Sequence, residues 1–196
     1  MNINQAIKDA DNLKSKLTPE YISKLEGLSS PKVWHLLNNL VAQSETYLEV
    51  GVYKGSTLLA ALYENNPYAV ALDNFSMAPE TRVEFFKNTK GKKFTFIEGD
   101  CFSLDLNRIK KPIELYFYDG HHTPECQFKA IEYFLPAMAN EFVYVCDDYD
   151  RKKVHIYTQE AIKHCGLQVV DYFHLGGNNR DWWEGIGVMK LRKHAK

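Results

Sequence analysis

Five short stretches of this chain carry residue types that do chemistry, and each closes an apolar run. The first, Glu49-Val50-Gly51-Val52-Tyr53-Lys54-Gly55-Ser56-Thr57, stands where a strand-like run stops and a helical pattern begins. Glycines at such a turn let backbone approach a ligand closely, and the free N–H groups of a helix start favour a carboxylate or phosphate. Asp73 closes the second run, 22 residues after Gly51. An acidic side chain there can accept hydrogen bonds from both hydroxyls of a ribose. Gly99-Asp100-Cys101 closes the third run, where Asp100 is placed to accept from the exocyclic amine of a purine. Tyr118-Asp119-Gly120-His121-His122 and Cys146-Asp147-Asp148-Tyr149 close the fourth and fifth. Each of these features alone also occurs as a helix cap or a strand-end turn in proteins without ligands. In succession they describe a nucleoside-bearing ligand.

These residues meet only if the runs are parallel strands whose ends open into one crevice. From Tyr47 onward the pattern is that of β-α units. TYLEVG precedes a helical stretch over 55–65, YAVALD one over 79–90, and KFTFIEGD an irregular stretch; IELYFYD precedes 124–138, FVYVCDD precedes 152–165, and LQVVDYF follows. Continuously apolar strands indicate a sheet covered on both faces, so the fold class is α/β, a Rossmann-like doubly wound sheet. GGNNRDWWEG is too short for a crossover helix, so IGVMKL must return antiparallel and make a C-terminal hairpin strand. Ahead of the sheet, Thr18-Pro19-Glu20 and Ser30-Pro31 each place a capping hydroxyl before a proline and predict two N-terminal helices. The second turns Val33, Trp34, Leu36, Leu37 and Leu40 inward. Residues 1–44 are expected to form a helical cover over the cleft or a contact within a homodimer, and 45–196 the main domain.

Composition narrows the partners. The 196 residues are 45% apolar and 25% charged, the profile of a globular chain. Lys plus Arg (24) nearly balances Asp plus Glu (25), which leaves no global field for nucleic acid or anionic lipid. The pairs Lys92-Lys93, Lys110-Lys111 and Lys152-Lys153 and the tail Arg192-Lys193-His194-Ala195-Lys196 read as solvated surface. Cys101, Cys126, Cys146 and Cys165 form no C-x-x-C pair and fit neither a zinc site nor a disulfide framework, so a reducing cytoplasm is the expected setting. No run reaches the ~20 apolar residues of a membrane span, and no export or anchoring segment is expected.

The loop E-x-G-x-x-x-G-x-[ST] at Glu49–Thr57, with Asp73, Gly99-Asp100, the acidic end of strand four and the terminal hairpin, resembles the class I S-adenosylmethionine-dependent methyltransferases over about residues 46–192. The resemblance implies a seven-stranded sheet, mostly parallel, with its last strand antiparallel. It implies that Glu49, Gly51 and Gly55 surround the methionine part of S-adenosylmethionine, Asp73 the ribose and Asp100 the adenine. Tyr53, Ser56, Asn74, Cys101 and Asp119 complete the expected cofactor-binding set. The dinucleotide motif G-x-G-x-x-G is not matched, because Val52-Tyr53 stands where its second glycine would meet a pyrophosphate.

Asp119, Asp147 and Asp148 would repel one another in a shared crevice unless protonated or bridged by a hard divalent cation such as Mg²⁺. Here the chain resembles the cation-dependent small-molecule O-methyltransferases of the sugar and macrolide-tailoring and the catechol types, with D-G-x-H after strand four and an acidic pair after strand five. That resemblance implies that Asp119, Asp147 and Asp148 hold the metal beside a small-molecule hydroxyl acceptor, with no nucleic acid or membrane partner. His122, with Asp119, is the expected catalytic pair. Thr123-Pro124-Glu125 predicts a helix start whose positive end favours a neutral imidazole base, while His121 and His122 equally suit a capping or carbonyl-bonding role. Asp148 fits either metal binding or capping of the next helix, and Trp182-Trp183 either an acceptor wall or packing on the sheet edge. Two rivals to an S-adenosylmethionine-dependent O-methyltransferase stand: a nicotinamide-dependent reductase, and a nucleoside-binding protein without turnover.

Overall fold

A computed structural model describes residues 1–176 and 181–194. The 177–180 part of the hairpin linker and the last two residues of the basic tail lie outside the described residues. Three helices open the chain: α1 (Ile3–Asp11), α2 (Pro19–Ile22) and α3 (Pro31–Val41). The two proline-marked starts form as their sequence dictates. The Thr18 side chain accepts from the Tyr21 N–H at 3.1 Å, and Ser30 Oγ accepts from the Val33 N–H at 3.4 Å.

There follow β1 (Thr46–Val50), α4 (Ser56–Leu62), β2 (Tyr68–Asp73), α5 (Thr81–Asn88), β3 (Thr95–Glu98), β4 (Ile113–Tyr118), α6 (Pro124–Glu132), β5 (Met138–Cys146), α7 (Lys152–His164), β6 (Gln168–Leu175) and β7 (Ile186–Arg192). The helix expected over 124–138 stops at Glu132. Pro136, which has no N–H to continue the ladder, lies in a 3₁₀ turn at Leu135–Ala137, and β5 starts directly after it.

The seven strands form one sheet in the order β3-β2-β1-β4-β5-β7-β6. β1 to β5 pair in parallel, while β7 is antiparallel to both β5 and β6. The doubly wound sheet with its returning final strand is therefore as expected. Strand order reverses between β1 and β4, the point at which such sheets open a crevice. Alternate residues feed two cores. Leu48, Val50, Tyr116 and Tyr144 pack with Ile131 of α6 and Ile162 of α7 on one face. Tyr47, Leu115, Phe117 and Val143 pack with Ala6 of α1, Leu36 and Leu37 of α3 and Leu58 of α4 on the other.

Two further details align the site. Hydrogen bonding continues past the strands, from Asp119 N–H to Val50 O at 2.8 Å and from Asp147 N–H to Tyr118 O at 3.1 Å, so the ends of β1, β4 and β5 stand in a row. The N-terminal helices also hold the β6–β7 connection. Lys32 Nζ lies 3.0 Å from both Asp11 and Asp181, Ser30 Oγ donates to Asp181 O at 2.6 Å, and Trp182 is buried in the core shared with α1 and α3.

Gly51 lets the row close. Its φ is +87°, and a Cβ there would overlap the carbonyl of Asp119. Gly51→Ala is expected to cost about 2–4 kcal/mol in urea unfolding, from left-handed strain plus the backbone clash. Gly91→Ala is the control: φ is +79° with nothing within 4 Å of the added atom, and about 1 kcal/mol is expected. Equal losses in the two variants would rule out the close approach as the cause.

Candidate active site

A cavity of about 700 Å³ opens over the carboxyl ends of β1, β2, β4 and β5, within the size range of small-molecule sites. Gly51, Tyr53, Ser56, Asp73, Asn74, Asp100 and Cys101 line it, and so do Asp119, His122, Asp147 and Asp148. The cofactor-type and acidic residues read from the sequence thus face one hollow. Glu49 and Gly55 are not among its lining residues. Gly55 acts through backbone: at φ +90° it forms the turn into α4.

Glu49 lies behind the loop. It is fully buried and accepts from Thr57 Oγ1 at 2.6 Å, from Tyr47 Oη at 2.5 Å and from the Leu58 N–H. The Leu58 N–H in the first turn of α4 is therefore taken up by this chain's own carboxyl. Burial, opposed by those hydrogen bonds and reinforced by Asp73, pushes Glu49 up to about 7. Asp73 is tied down as well. Its Oδ2 accepts from the N–H of Val52 at 2.8 Å and of Tyr53 at 3.1 Å, and Oδ1 accepts from that of Phe75 at 2.7 Å. A carboxylate has about four lone-pair positions, so it keeps capacity for a ligand hydroxyl. Asp100 caps the short turn after β3, accepting from the Phe102 N–H at 3.0 Å and Ser103 Oγ at 2.9 Å.

The acidic end is held closely. Asp119 and Asp147 lie close enough to perturb each other's ionisation. Burial first, and then the surrounding carboxylates, push both well above the usual carboxylate range. Among the described residues no Lys or Arg pairs with either. Asp148 turns toward Arg151 Nη1, 2.7 Å away, and His122 Nε2, 3.1 Å away. It makes no side-chain cap on α7, whose first turn is uncapped, so that alternative is not realised. Nor does either histidine cap α6, since Thr123 Oγ1 does so through the Cys126 N–H at 3.2 Å. Among the described residues, no group of three or more His, Cys, Asp or Glu side chains stands in a metal-holding arrangement.

His122 Nε2 is 3.6 Å from Asp119 Oδ1, and burial pushes the ring below its usual range against the pull of Asp148 and Asp147. Its Nδ1 meets Gln127 Nε2 at 2.8 Å. Gln127 is a contact that pattern reading missed: its only signal is a carboxamide on the inward face of an otherwise ordinary amphipathic helix. Arg151 was missed too, because a single Arg after an acidic run reads as surface. Trp182 is buried in the core, and Trp183 packs against the same core while also lining the cavity. Of six non-glycine residues with positive φ among those described, four line the cavity: Tyr53, Phe75, Asp148 and Trp183. Left-handed backbone is costly for such side chains and concentrates where function constrains geometry.

A profile of a methyltransferase-domain family matches residues 48–149, just over half of the chain and the whole row of strand ends from β1 to β5. This chain belongs to that family. Solved structures share the fold. A methyltransferase from Podospora anserina, PaMTH1, bound to SAH, superposes with a TM-score of 0.63 at 14% identity, covering 97% of this chain and 88% of its own. An O-methyltransferase from Bacillus cereus in complex with SAH gives 0.60 at 12% identity over 97% and 89%. A candidate caffeoyl-CoA O-methyltransferase from Staphylococcus aureus gives 0.65 at 14% identity over 98% and 99%. No curated protein sequence matches the chain. The resemblance read from the Glu49–Thr57 loop is borne out at the level of family and fold.

Glu49 gives a stability test. Its carboxyl holds a proton more tightly in the fold than at the ordinary 4.5, so the stability it contributes is complete below about 4.5 and is lost as pH rises through about 7. Glu49→Gln removes that dependence. In urea titrations at pH 5 and pH 8, the variant should gain on the wild type by a few kcal/mol, because each tenfold rise in proton affinity is worth about 1.4 kcal/mol. A difference that does not change with pH would show that Glu49 ionises normally.

Proposed function

We propose that this methyltransferase-family member transfers a methyl group from S-adenosylmethionine to a hydroxyl oxygen of a small molecule, assisted by a divalent cation. The observation that carries this reading is the charge of the cavity. Asp73, Asp100, Asp119, Asp147, Asp148 and Glu184 line it, and Arg151 is its one Lys or Arg among the described residues. Such a field favours a ligand bearing a sulfonium and an ammonium and repels the doubly negative pyrophosphate of a nicotinamide dinucleotide. The absence of a second glycine at Val52-Tyr53 supports the same choice.

When bound, S-adenosylmethionine supplies an electrophilic methyl group for in-line displacement by the acceptor oxygen. The chain's part is to bind and orient. Asp73 keeps the Val52-Tyr53 turn against the cavity while offering acceptor capacity to a ribose, and Glu49 anchors the same loop from beneath. Gly51, Tyr53 and Ser56 then line the methionine end, and Asn74, Asp100 and Cys101 the adenosine end. Asp119, Asp147 and Asp148 are hard oxygen donors, and among the described residues no Lys or Arg pairs with the first two, which suits Mg²⁺ in chemistry though the three do not converge as they stand. A cation there would lower the acceptor hydroxyl's pKa. His122 and Asp119 form the polar floor beside which the acceptor hydroxyl would lie. Trp183, held in left-handed backbone, offers an aromatic face to a ring or sugar at that end. No helix among the described residues is long and apolar enough to cross a membrane.

Isothermal titration should show S-adenosylhomocysteine binding and no NAD(H) binding; the reverse would sink the reading. With radiolabelled S-adenosylmethionine and a hydroxyl library, EDTA should abolish acceptor-dependent transfer, Mg²⁺ should restore it, and Asp147→Asn should lower it at least 100-fold, about 2.7 kcal/mol. Full activity in EDTA would remove the cation from the mechanism. Trp183→Ala should raise the acceptor KM about tenfold with cofactor affinity unchanged.

A further inference from the structure

Behind His122 lies a buried chain of hydrogen bonds that the proposed methyl transfer does not use. Gln127, on α6, is fully buried, and so is Thr158, on α7. One end of the Gln127 carboxamide faces Thr158 Oγ1 at 3.2 Å and Cys146 Sγ at 3.4 Å; the other faces His122 Nδ1 at 2.8 Å. A carboxamide has one accepting end and one donating end, so its orientation decides what the imidazole can do. Thr158 decides the orientation. A buried hydroxyl proton needs an acceptor, and the Gln127 oxygen is the acceptor Thr158 has. Its alternative, Cys146 Sγ at 3.9 Å, is weak, and that thiol's single proton has Gln127 Oε1 and Asp147 O, each at 3.4 Å, as alternative acceptors. With Oε1 taking the Thr158 proton, the NH₂ end must face the ring. A donor at 2.8 Å from Nδ1 requires a lone pair on Nδ1, and a neutral imidazole then carries its proton on Nε2, the nitrogen 3.1 Å from Asp148 and 3.6 Å from Asp119.

We infer that Gln127, seated by Thr158, is a positioning residue that fixes His122 as the Nε2–H tautomer, so that the ring donates a hydrogen bond into the acidic cluster and does not serve as the general base. The ring's one lone pair is covered by the Gln127 amide, so the acceptor proton must leave through another group. This replaces the base role that the spacing after Asp119 suggests for His122. The consequence for catalysis rests on the reading that the acceptor binds at this end of the cavity; the tautomer does not.

The test is two-bond ¹H–¹⁵N spectroscopy of the full chain labelled with ¹⁵N-histidine at pH 8, with the His122 signals identified by their loss in His122→Asn. The expected spectrum has an unprotonated, pyridine-like Nδ1 and a protonated, pyrrole-like Nε2. Gln127→Glu, which places only acceptors opposite Nδ1, should move the proton to Nδ1. Thr158→Val, which frees the carboxamide to turn over, should give a mixture of tautomers while S-adenosylhomocysteine affinity stays within about twofold. A wild-type ring protonated on Nδ1, or on both nitrogens, would overturn the assignment. So would a wild-type pattern that neither variant changes. Where a variant fails to fold, the wild-type spectrum decides alone. Failure to bind S-adenosylhomocysteine would count against the proposed function and leave the tautomer assignment standing.

Discussion

Carboxyl groups crowded at the edge of a parallel sheet set the terms for everything else in this molecule. Parallel strands end side by side, so Asp73, Asp119 and Asp147 are brought together by topology before any side-chain contact is made. Left to themselves they would repel and take up protons. The fold answers each in a different way. Asp73 is satisfied by three backbone N–H groups and Asp148 by Arg151 and His122, while Asp119 and Asp147 are pushed toward their protonated forms by burial and by the carboxylates around them. The proposed chemistry is centred on the last pair.

Backbone geometry makes the crowding possible. Gly51 brings the end of β1 against the Asp119 carbonyl, and four left-handed non-glycine residues around the cavity turn the chain where extended strands would run on. Glu49 shows the other side of this compactness. Its burial beneath the loop stabilises a neutral carboxyl, and the Tyr47, Thr57 and Leu58 donors partly recover the charged one.

Much of this was legible in the residues themselves. Alternation of apolar runs with helical stretches is a strong signal, and it located every strand of the sheet. Capped prolines at Thr18-Pro19 and Ser30-Pro31 located two helices, because the hydroxyl and the ring each do a defined local job. Strand-end residues were legible for the same reason: a parallel sheet turns sequence order into spatial adjacency. What stayed hidden depends on side-chain direction. Glu49 sits on a strand end like Asp73, yet it points behind the loop and not into the cavity. Gln127 was invisible because nothing in a helical repeat distinguishes a buried carboxamide that bonds a ring from one that faces water. The end of α6 at Glu132 was overshot because the apolar pattern continues through a 3₁₀ turn.

The family profile stops at Tyr149, whereas Leu28, Arg151, Trp183 and Glu184 on the cavity rim all lie beyond its limits. Lys32 ties these flanks together by clasping Asp11 on one side and Asp181 on the other. If the proposed transfer is what this cavity does, acceptor selectivity would be assembled from the segments that flank the central strands, fastened to each other across a shared central engine. Such a division lets the rim be reshaped for new acceptors while the machinery at the strand ends is left untouched.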